Sequence, residues 1–287
     1  MHWTLKLGAK LVLARLPVPY SAWKRLRLFQ HGCMDSMGYA LDVFESHAGK
    51  CGLLPMPAGR ILCEIGPGDS LASALIGRCA GAAHTYLVDA GNFATLDAAA
   101  YRPLAETLRS RGWSVPDDIR FDSVPAYLDS CRATYLTDGL RSMASIPSAS
   151  VDMIWSHAVL EHIRAAEFAA YARELARVTR PGSHGSHRVD LQDHLGGALN
   201  NLRFSPRTWE SGWFTNSGFY TNRLQFSRVV SAFRDAGFRV ETPKVDRWSA
   251  LPTPRTAMDP EFQRTPDDEL RISGFDMITC RPLATAS

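Results

Sequence analysis

The stretch Ile61-Leu62-Cys63-Glu64-Ile65-Gly66-Pro67-Gly68-Asp69-Ser70 decides the fold of this chain. Its apolar first half, 61–65, is typical of a short strand that is buried on both faces. Two glycines then turn the chain, and a helical pattern covers residues 70–79. Glycine lets the backbone approach a ligand closely, and the first turn of a helix offers unpaired N–H groups. The stretch therefore predicts a strand–turn–helix unit that binds a ligand at its turn.

The same alternation of strand and helix continues along the chain. Amphipathic helices are expected before Pro181-Gly182 and over residues 223–236. Further strands are expected at 85–89, 133–137, 151–156, 186–191, 238–241 and 275–280. This order predicts an α/β fold with a Rossmann-like seven-stranded, mostly parallel sheet and helices on both faces. No strong helix separates the last two strands, which favours an antiparallel strand at one edge.

Residues 1–58 precede this alternation and are predicted to form an N-terminal helical cap beside the main domain, 59–287. Met37, Leu41, Phe44 and Ala48 recur at helical spacing within the cap. The stretches 91–132 and 195–222 are too long for simple connections. We expect extra helices in the first, and we expect the second to carry specificity, because long insertions beyond strand ends often do.

The glycine-rich turn is compatible with two cofactors, which the neighbouring residues separate. A pyrophosphate fingerprint needs a third glycine, where this chain has Leu71. Glu64, two residues before the first glycine, would repel a pyrophosphate but suits the ammonium and sulfonium of S-adenosylmethionine. Asp89 ends the second strand and is placed to accept hydrogen bonds from ribose hydroxyls, as either cofactor requires. The charges therefore favour S-adenosylmethionine over a nicotinamide dinucleotide.

Over residues 59–281 the chain resembles the class I S-adenosylmethionine-dependent methyltransferase family. Glu64 to Gly68 match its first motif, Asp89 its ribose-binding acid, and residues 150–162 its fourth-strand motif, while 177–182 resemble the run before the fifth strand. Asp138-Gly139 resembles the adenine contact, although the spacing from Asp138 to Pro147 is longer than usual in the family. The resemblance implies methyl transfer from S-adenosylmethionine. It implies cofactor binding by Glu64, Gly66, Pro67, Gly68, Asp89, Asp138, Gly139 and Ser156.

Catalytic groups are expected after strands four and five, because open α/β sheets bind ligands beyond the carboxyl ends of their strands. His157 follows the fourth strand, and His194, with Asp190 or Asp193, follows the fifth. An imidazole beside a carboxylate suits a general base, so His194, Asp190 and His157 are the predicted catalytic residues. His162 is expected to be structural. The alternative of a divalent metal on Asp190, Asp193 and His194 stays open, although no metal is the preferred hypothesis.

The stretch 195–222 and the residue after it combine aromatic and amide side chains that suit a sugar or another polyol. The predicted substrate-binding residues are Asp193, Trp209, Tyr220, Asn222 and Arg223, with Trp213 nearby. The alternative is a packed lid that does not touch the acceptor.

Composition limits the partners. Hydrophobic residues make up 45% of the chain and charged residues 21%, which suits a globular protein rather than a disordered one. The net charge is +3, and residues 1–60 carry eight Lys or Arg against three Asp or Glu. That excess suits a solvated helix face, a phosphorylated substrate or weak peripheral membrane contact. The sequence has no dense run of Lys and Arg that would predict nucleic-acid binding. Six cysteines without a Cys-x-x-Cys pair, and the lack of a signal or spanning segment, favour a cytoplasmic location with free thiols.

The function expected from these features is methyl transfer to a hydroxyl of a small molecule or glycan precursor, as in polysaccharide biosynthesis. Two alternatives remain: a methyltransferase-like module that binds the cofactor without catalysis, and a tailoring enzyme of a natural product. The sequence leaves the oligomeric state open.

Overall fold

The computed structural model describes residues 3–13 and 37–283, and its centre is one seven-stranded sheet. Its strands are β1 (Ile61–Ile65), β2 (His84–Val88), β3 (Ala133–Leu136), β4 (Val151–His157), β5 (Thr179–Asp190), β6 (Arg239–Arg247) and β7 (Ile272–Cys280). They lie in the order β3-β2-β1-β4-β5-β7-β6. The first five pair in parallel, and β7 is antiparallel to both of its neighbours. The predicted Rossmann-like fold is confirmed.

Two details of the predicted sheet are wrong. The antiparallel strand is not at the edge, because β7 lies between β5 and β6 and β6 forms the edge. The predicted helix end at Pro181-Gly182 falls inside β5, which begins at Thr179. Proline cannot donate a backbone hydrogen bond, but it is tolerated near the start of a strand. The register between β4 and β5 also shifts between Val151 and Met153, next to this proline.

Helices cover both faces of the sheet. They are α1 (Trp3–Leu13), α2 (Met37–Lys50), α3 (Ala72–Cys79), α4 (Arg102–Ser110), α5 (Val124–Ser130), α6 (Gly139–Ser142), α7 (Ala165–Val178), α8 (Pro206–Trp209), α9 (Gly212–Thr215), α10 (Phe226–Asp235), α11 (Pro260–Gln263) and α12 (Asp267–Leu270). Buried residues of α2 to α5 pack with Leu62, Met153 and Trp155 on one face. Those of α7 and α10 pack with Cys63 and Ile154 on the other. The extra helices expected within 91–132 are present as α4 and α5.

The two described helices of the N-terminal segment pack against the rest of the chain at different places. Helix α2 buries Leu41, Phe44 and Ala48 in the same apolar cluster as the central strands. Helix α1 lies elsewhere and packs through Trp3 and Leu7 on the aromatic residues of 195–220. The division into a cap over 1–58 and a main domain over 59–287 stays a prediction.

The five cysteines within the described residues, Cys51, Cys63, Cys79, Cys131 and Cys280, are free thiols. Cys33 lies outside the described residues, as do the basic residues of 14–36. None of the helices in residues 3–13 and 37–283 is long and apolar enough to cross a membrane.

Candidate active site

The turn after β1 is shaped by two glycines in the left-handed backbone region. Gly66 has φ +72° and Gly68 has φ +62°, and the buried Pro67 lies between them. A Cβ on Gly66 would lie 2.4 Å from Cγ2 of Val159, which follows β4. Glycine is therefore required at position 66 both for backbone conformation and for the close approach of the segment after β4.

Asp89 joins three segments at the carboxyl edge of the sheet. Its Oδ2 accepts a 2.9 Å hydrogen bond from Gly68 N–H, and its Oδ1 accepts one of 2.7 Å from Ala90 N–H. Its backbone carbonyl accepts a 2.8 Å hydrogen bond from Gly139 N–H. The predicted first motif, ribose acid and adenine position are therefore brought together at one edge.

Glu64 lies beneath this turn with its side chain buried. Its Oε2 has no hydrogen-bond partner among the described residues. Burial raises the pKa of Glu64 to about 7, and a hydrogen bond with Ser73 partly opposes that shift. A buried carboxylate with an unpaired oxygen is costly unless a positive or hydrogen-bonding group satisfies it. Glu64 is thus suited to a cationic ligand.

Asp138, the predicted adenine contact, precedes α6 and is exposed. It forms an ion pair with Arg141, with 2.8 Å between Oδ1 and Nη2. Its neighbour Gly139 has φ +50° and is held by the Asp89 carbonyl. Both residues therefore lie beside the Asp89 edge, with the Asp138 carboxylate reachable from solvent.

Ser156 is one of the predicted cofactor-binding residues, and its side chain contacts the neighbouring strand. Its hydroxyl is buried within the sheet, 2.8 Å from Nδ1 of His187 on the neighbouring strand. Side chains alternate between the two faces of a strand, and Ser156 is turned away from the face that carries Trp155.

His157 ends β4 and belongs to a chain of polar contacts that reaches α2. Its Nε2 lies 3.2 Å from the Tyr39 hydroxyl, and its Nδ1 lies 3.1 Å from Nε2 of His47. Nδ1 of His47 in turn lies 2.8 Å from Oγ of Ser186 on β5. Burial lowers the pKa of His47 to about 2, so this imidazole is neutral. His157 is therefore held in place by α2.

His47 and Tyr39 are not among the site residues predicted from the sequence. A signal for His47 was present, because it follows Phe44 by three residues on the apolar stripe of α2. A polar residue at such a position needs a buried partner. That partner was not visible in the sequence, because Ser186 lies on a distant strand.

His194 lies after β5 as expected, but the predicted pairing with an aspartate is not found. Asp193 accepts backbone hydrogen bonds from Leu195, Gly196 and Asn200, so it holds its own loop. Asp190 accepts a 2.9 Å bond from Gln192 N–H. Among the described residues no hydrogen bond joins His194 to either carboxylate. The hydrogen-bonded His–Asp pair is therefore not formed, and the role of Asp193 in substrate binding stays a prediction.

The neighbours of His194 are instead Glu161 and His162, from the short 3₁₀ turn Leu160–His162 that follows β4. One ligand atom of each of these three residues lies within 4.8 Å of the other two. The rings of His162 and His194 meet edge to face, with centroids 4.8 Å apart. His162 was expected to be structural, and Glu161 is not among the predicted site residues.

The predicted acceptor-binding residues of 209–223 form a packed lid. Trp209 is fully buried, and its Nε1 donates to the Thr221 carbonyl. The Tyr220 hydroxyl donates to Glu210, and Asn222 donates to the carbonyls of Leu160 and Ile163. The alternative of a lid without direct acceptor contacts is therefore closer to the structure for these three residues.

Arg223 also serves the lid. Its Nη1 donates a 2.6 Å hydrogen bond to the Phe204 carbonyl, and its guanidinium lies over the rings of Trp209 and Phe262. Trp213 differs from the other lid aromatics because 62% of it is exposed.

The comparisons with known proteins agree with this geometry. Residues 74–185 match the family model described as "Methyltransferase domain". The matched region runs from α3 into β5 and includes Asp89 and the turn after β4. This match supports a methyltransferase domain in the chain.

Solved structures resemble this methyltransferase in fold. A Methanosarcina mazei S-adenosylmethionine-dependent methyltransferase is 16% identical, with 80% of this chain and 96% of that chain covered and a TM-score of 0.47. One from Mesorhizobium loti is 15% identical, with 79% and 94% covered and a TM-score of 0.43. Haemonchus contortus phosphoethanolamine N-methyltransferase 2 is 13% identical, with 81% and 51% covered and a TM-score of 0.44. No curated protein matches the sequence.

The carboxyl edge of β1 to β3 fits the cofactor of the methyltransferase domain. The Asp89 carboxylate is placed for ribose hydroxyls, the Gly66–Gly68 turn allows close backbone approach, and Glu64 supplies negative charge. S-adenosylmethionine, when bound, supplies a methyl group on a sulfonium that is already an activated leaving group. The protein's own tasks are then to position an acceptor atom and to remove its proton.

Proposed function

We propose that this methyltransferase methylates a hydroxyl group of a small polar molecule, such as a glycan precursor. The observation that carries the proposal is the group Glu161, His162 and His194 beyond β4 and β5. Open α/β sheets bind their ligands beyond the carboxyl ends of the strands. An alcohol is a poor nucleophile until its proton is removed or its oxygen is polarised, whereas a neutral amine needs no such help.

His194 supports a hydroxyl acceptor through its protonation state. Burial, together with the nearby positive groups His162, Lys10 and Lys6, lowers the pKa of His194 to about 4. The imidazole is therefore neutral at neutral pH and has a lone pair for a proton or a cation. His194 is the first candidate for the group that activates the acceptor.

The lysines of α1 favour an acceptor that carries negative charge. Lys10 Nζ donates a 3.4 Å hydrogen bond to the His194 carbonyl, which places a cation beside the acceptor region. A phosphorylated sugar would gain from this charge, and an anionic acceptor would approach faster at low salt. Helix α1 therefore belongs to the acceptor side in this proposal.

The experiment is a methyl-transfer screen with radiolabelled S-adenosylmethionine. Sugars, sugar phosphates and nucleotide sugars are compared with amines and with aromatic small molecules. We expect a methyl ether product on a polyol, and a loss of kcat in His194→Gln. The matched control His184→Gln, in the middle of β5, should retain kcat. Turnover only on amines or aromatic compounds would overturn the proposal, and cofactor binding without turnover on any acceptor would favour a non-catalytic module.

A further inference from the structure

Glu161 is a buried carboxylate without a hydrogen-bond partner. The residue is 2% exposed, and neither Oε1 nor Oε2 has a partner within the described part of the chain. Leaving a buried carboxylate unsatisfied costs several kcal/mol unless a proton, a cation or a donor compensates it. A side chain in this state is expected where a positively charged ligand binds.

His162 presents a nitrogen lone pair beside this carboxylate. Its Nδ1 lies 2.9 Å from the Tyr220 carbonyl oxygen, which can only accept, so Nδ1 carries the hydrogen. In that tautomer the lone pair is on Nε2. Histidines that bind a metal through one ring nitrogen usually donate the hydrogen of the other to a carbonyl or carboxylate in this way.

The loops that carry these side chains are both braced. Asn222 N–H donates to the Glu161 carbonyl, and the Asn222 side chain donates to the carbonyls on either side of Glu161-His162. Asp193 fixes the loop of His194 by accepting three backbone hydrogen bonds. Asn222 and Asp193 therefore have a role that does not require contact with the acceptor, because metal sites depend on such support.

We propose that Glu161, His162 and His194 bind one divalent cation. One carboxylate oxygen and two imidazole nitrogens form a donor set that suits Zn²⁺ and the other first-row cations that prefer imidazole. The three ligand atoms already lie within 4.8 Å of one another. Three protein ligands leave at least one coordination position open.

The role of the ion rests on the proposed function. An open position on a cation beyond β4 and β5 would hold the oxygen of the acceptor hydroxyl and favour loss of its proton. Ion binding itself does not depend on that role and is measured without methyl transfer.

The test is calorimetric titration of Zn²⁺ into chelator-treated protein. We expect one ion per chain, and affinity weakened by more than about tenfold in each of Glu161→Gln, His162→Gln and His194→Gln. His184→Gln is the matched control, because it removes an imidazole outside the group, and it should bind as the wild type does. Circular dichroism checks that each variant is folded.

A second probe separates this site from the free cysteines. Co²⁺ absorption reports ligand type, and thiolate ligands add intense near-ultraviolet bands that oxygen and nitrogen ligands do not. We expect a Co²⁺ spectrum without those bands, lost in Glu161→Gln. Absence of Zn²⁺ binding in the wild type, unchanged binding in Glu161→Gln, or a thiolate spectrum would each overturn the inference.

The two proposals fail in different ways. One Zn²⁺ bound through these ligands, with turnover only on amines, contradicts the hydroxyl acceptor alone. Methyl ether formation by protein that binds no Zn²⁺ and is indifferent to Glu161→Gln contradicts the cation site alone.

Discussion

The Asp89 carboxylate accepts a 2.9 Å hydrogen bond from the backbone N–H of Gly68, across the gap between β2 and the turn after β1. The same residue holds Gly139 through its backbone carbonyl. One aspartate therefore fixes the relative positions of three loops that meet at the cofactor edge. Its carboxylate serves that function and is also the group placed to bind ribose.

Replacement of Asp89 by alanine should weaken binding of S-adenosylhomocysteine by about tenfold to a hundredfold. The variant loses hydrogen bonds to a charged acceptor, each worth about 1.5–3 kcal/mol. Calorimetric titration measures the change. Asp118→Ala is the control, because Asp118 is a largely exposed acid that pairs with Arg78. Equal affinities in Asp89→Ala and the wild type would remove Asp89 from the cofactor site.

Gly66→Ala should destabilise the fold by about 2–5 kcal/mol, measured by urea unfolding. A φ of +72° costs a residue with a side chain about 1–2 kcal/mol. The contact with Val159 adds about 1–3 kcal/mol of overpacking.

Two variants separate the cost of the backbone conformation from the cost of the contact with Val159. Gly52→Ala has a similar φ of +68° with nothing within 4 Å of its Cβ, so it should show the backbone cost alone. Val159→Ala in the Gly66→Ala background should recover part of the loss. No recovery in the double variant would mean that Val159 does not crowd Gly66.

His187 should make the protein less stable as the pH falls. Burial lowers the pKa of His187 to about 3, whereas the unfolded chain titrates near the ordinary histidine value of 6.5. Below that value the unfolded state binds a proton that the folded state does not, so the free energy of unfolding decreases. His187 alone should lower the free energy of unfolding by about 2 kcal/mol between about pH 7 and pH 5.

The comparison uses His187→Asn, which keeps a polar partner for Ser156. Urea unfolding at several pH values should give a shallower pH dependence for the variant than for the wild type. Parallel curves would show that His187 is protonated in the folded protein over this range.

Leu7→Ser should detach α1 from the lid. Leu7 packs on the aromatic cluster of the lid, whereas Leu5 on the same helix is 66% exposed. We expect faster tryptic cleavage after Lys6 and Lys10 in Leu7→Ser, and no change in Leu5→Ser, because only the former removes apolar contact. Identical cleavage of both variants would show that α1 does not dock through Leu7.

The parts of the fold predicted well were those set by local pattern. The short apolar run 61–65 forms β1 as predicted. Glu64 in β1 and Asp89 after β2 lie at the same edge of the sheet, because the two strands are parallel neighbours. The position of β7 was missed because strand order depends on pairing between distant segments. Nothing in the composition of β6 or β7 reveals which of them is the edge strand.

The acceptor side was predicted less well for a related reason. A polar residue such as Asn222 or Asp193 looks the same in the sequence whether it binds a substrate or holds a loop in place. The structure decides between these roles through backbone partners that sequence does not display. Glu161 was not predicted because it follows three apolar or small residues in a turn, and its contact with Asn222 joins segments that are far apart in the sequence.

The most direct test of the account is calorimetric titration of the wild-type protein with S-adenosylhomocysteine and, separately, with NAD. The carboxylates of Glu64 and Asp89, and the lack of a third glycine at Leu71, predict micromolar binding of S-adenosylhomocysteine and no measurable binding of NAD. Binding of NAD in place of S-adenosylhomocysteine, or of neither, would contradict the account.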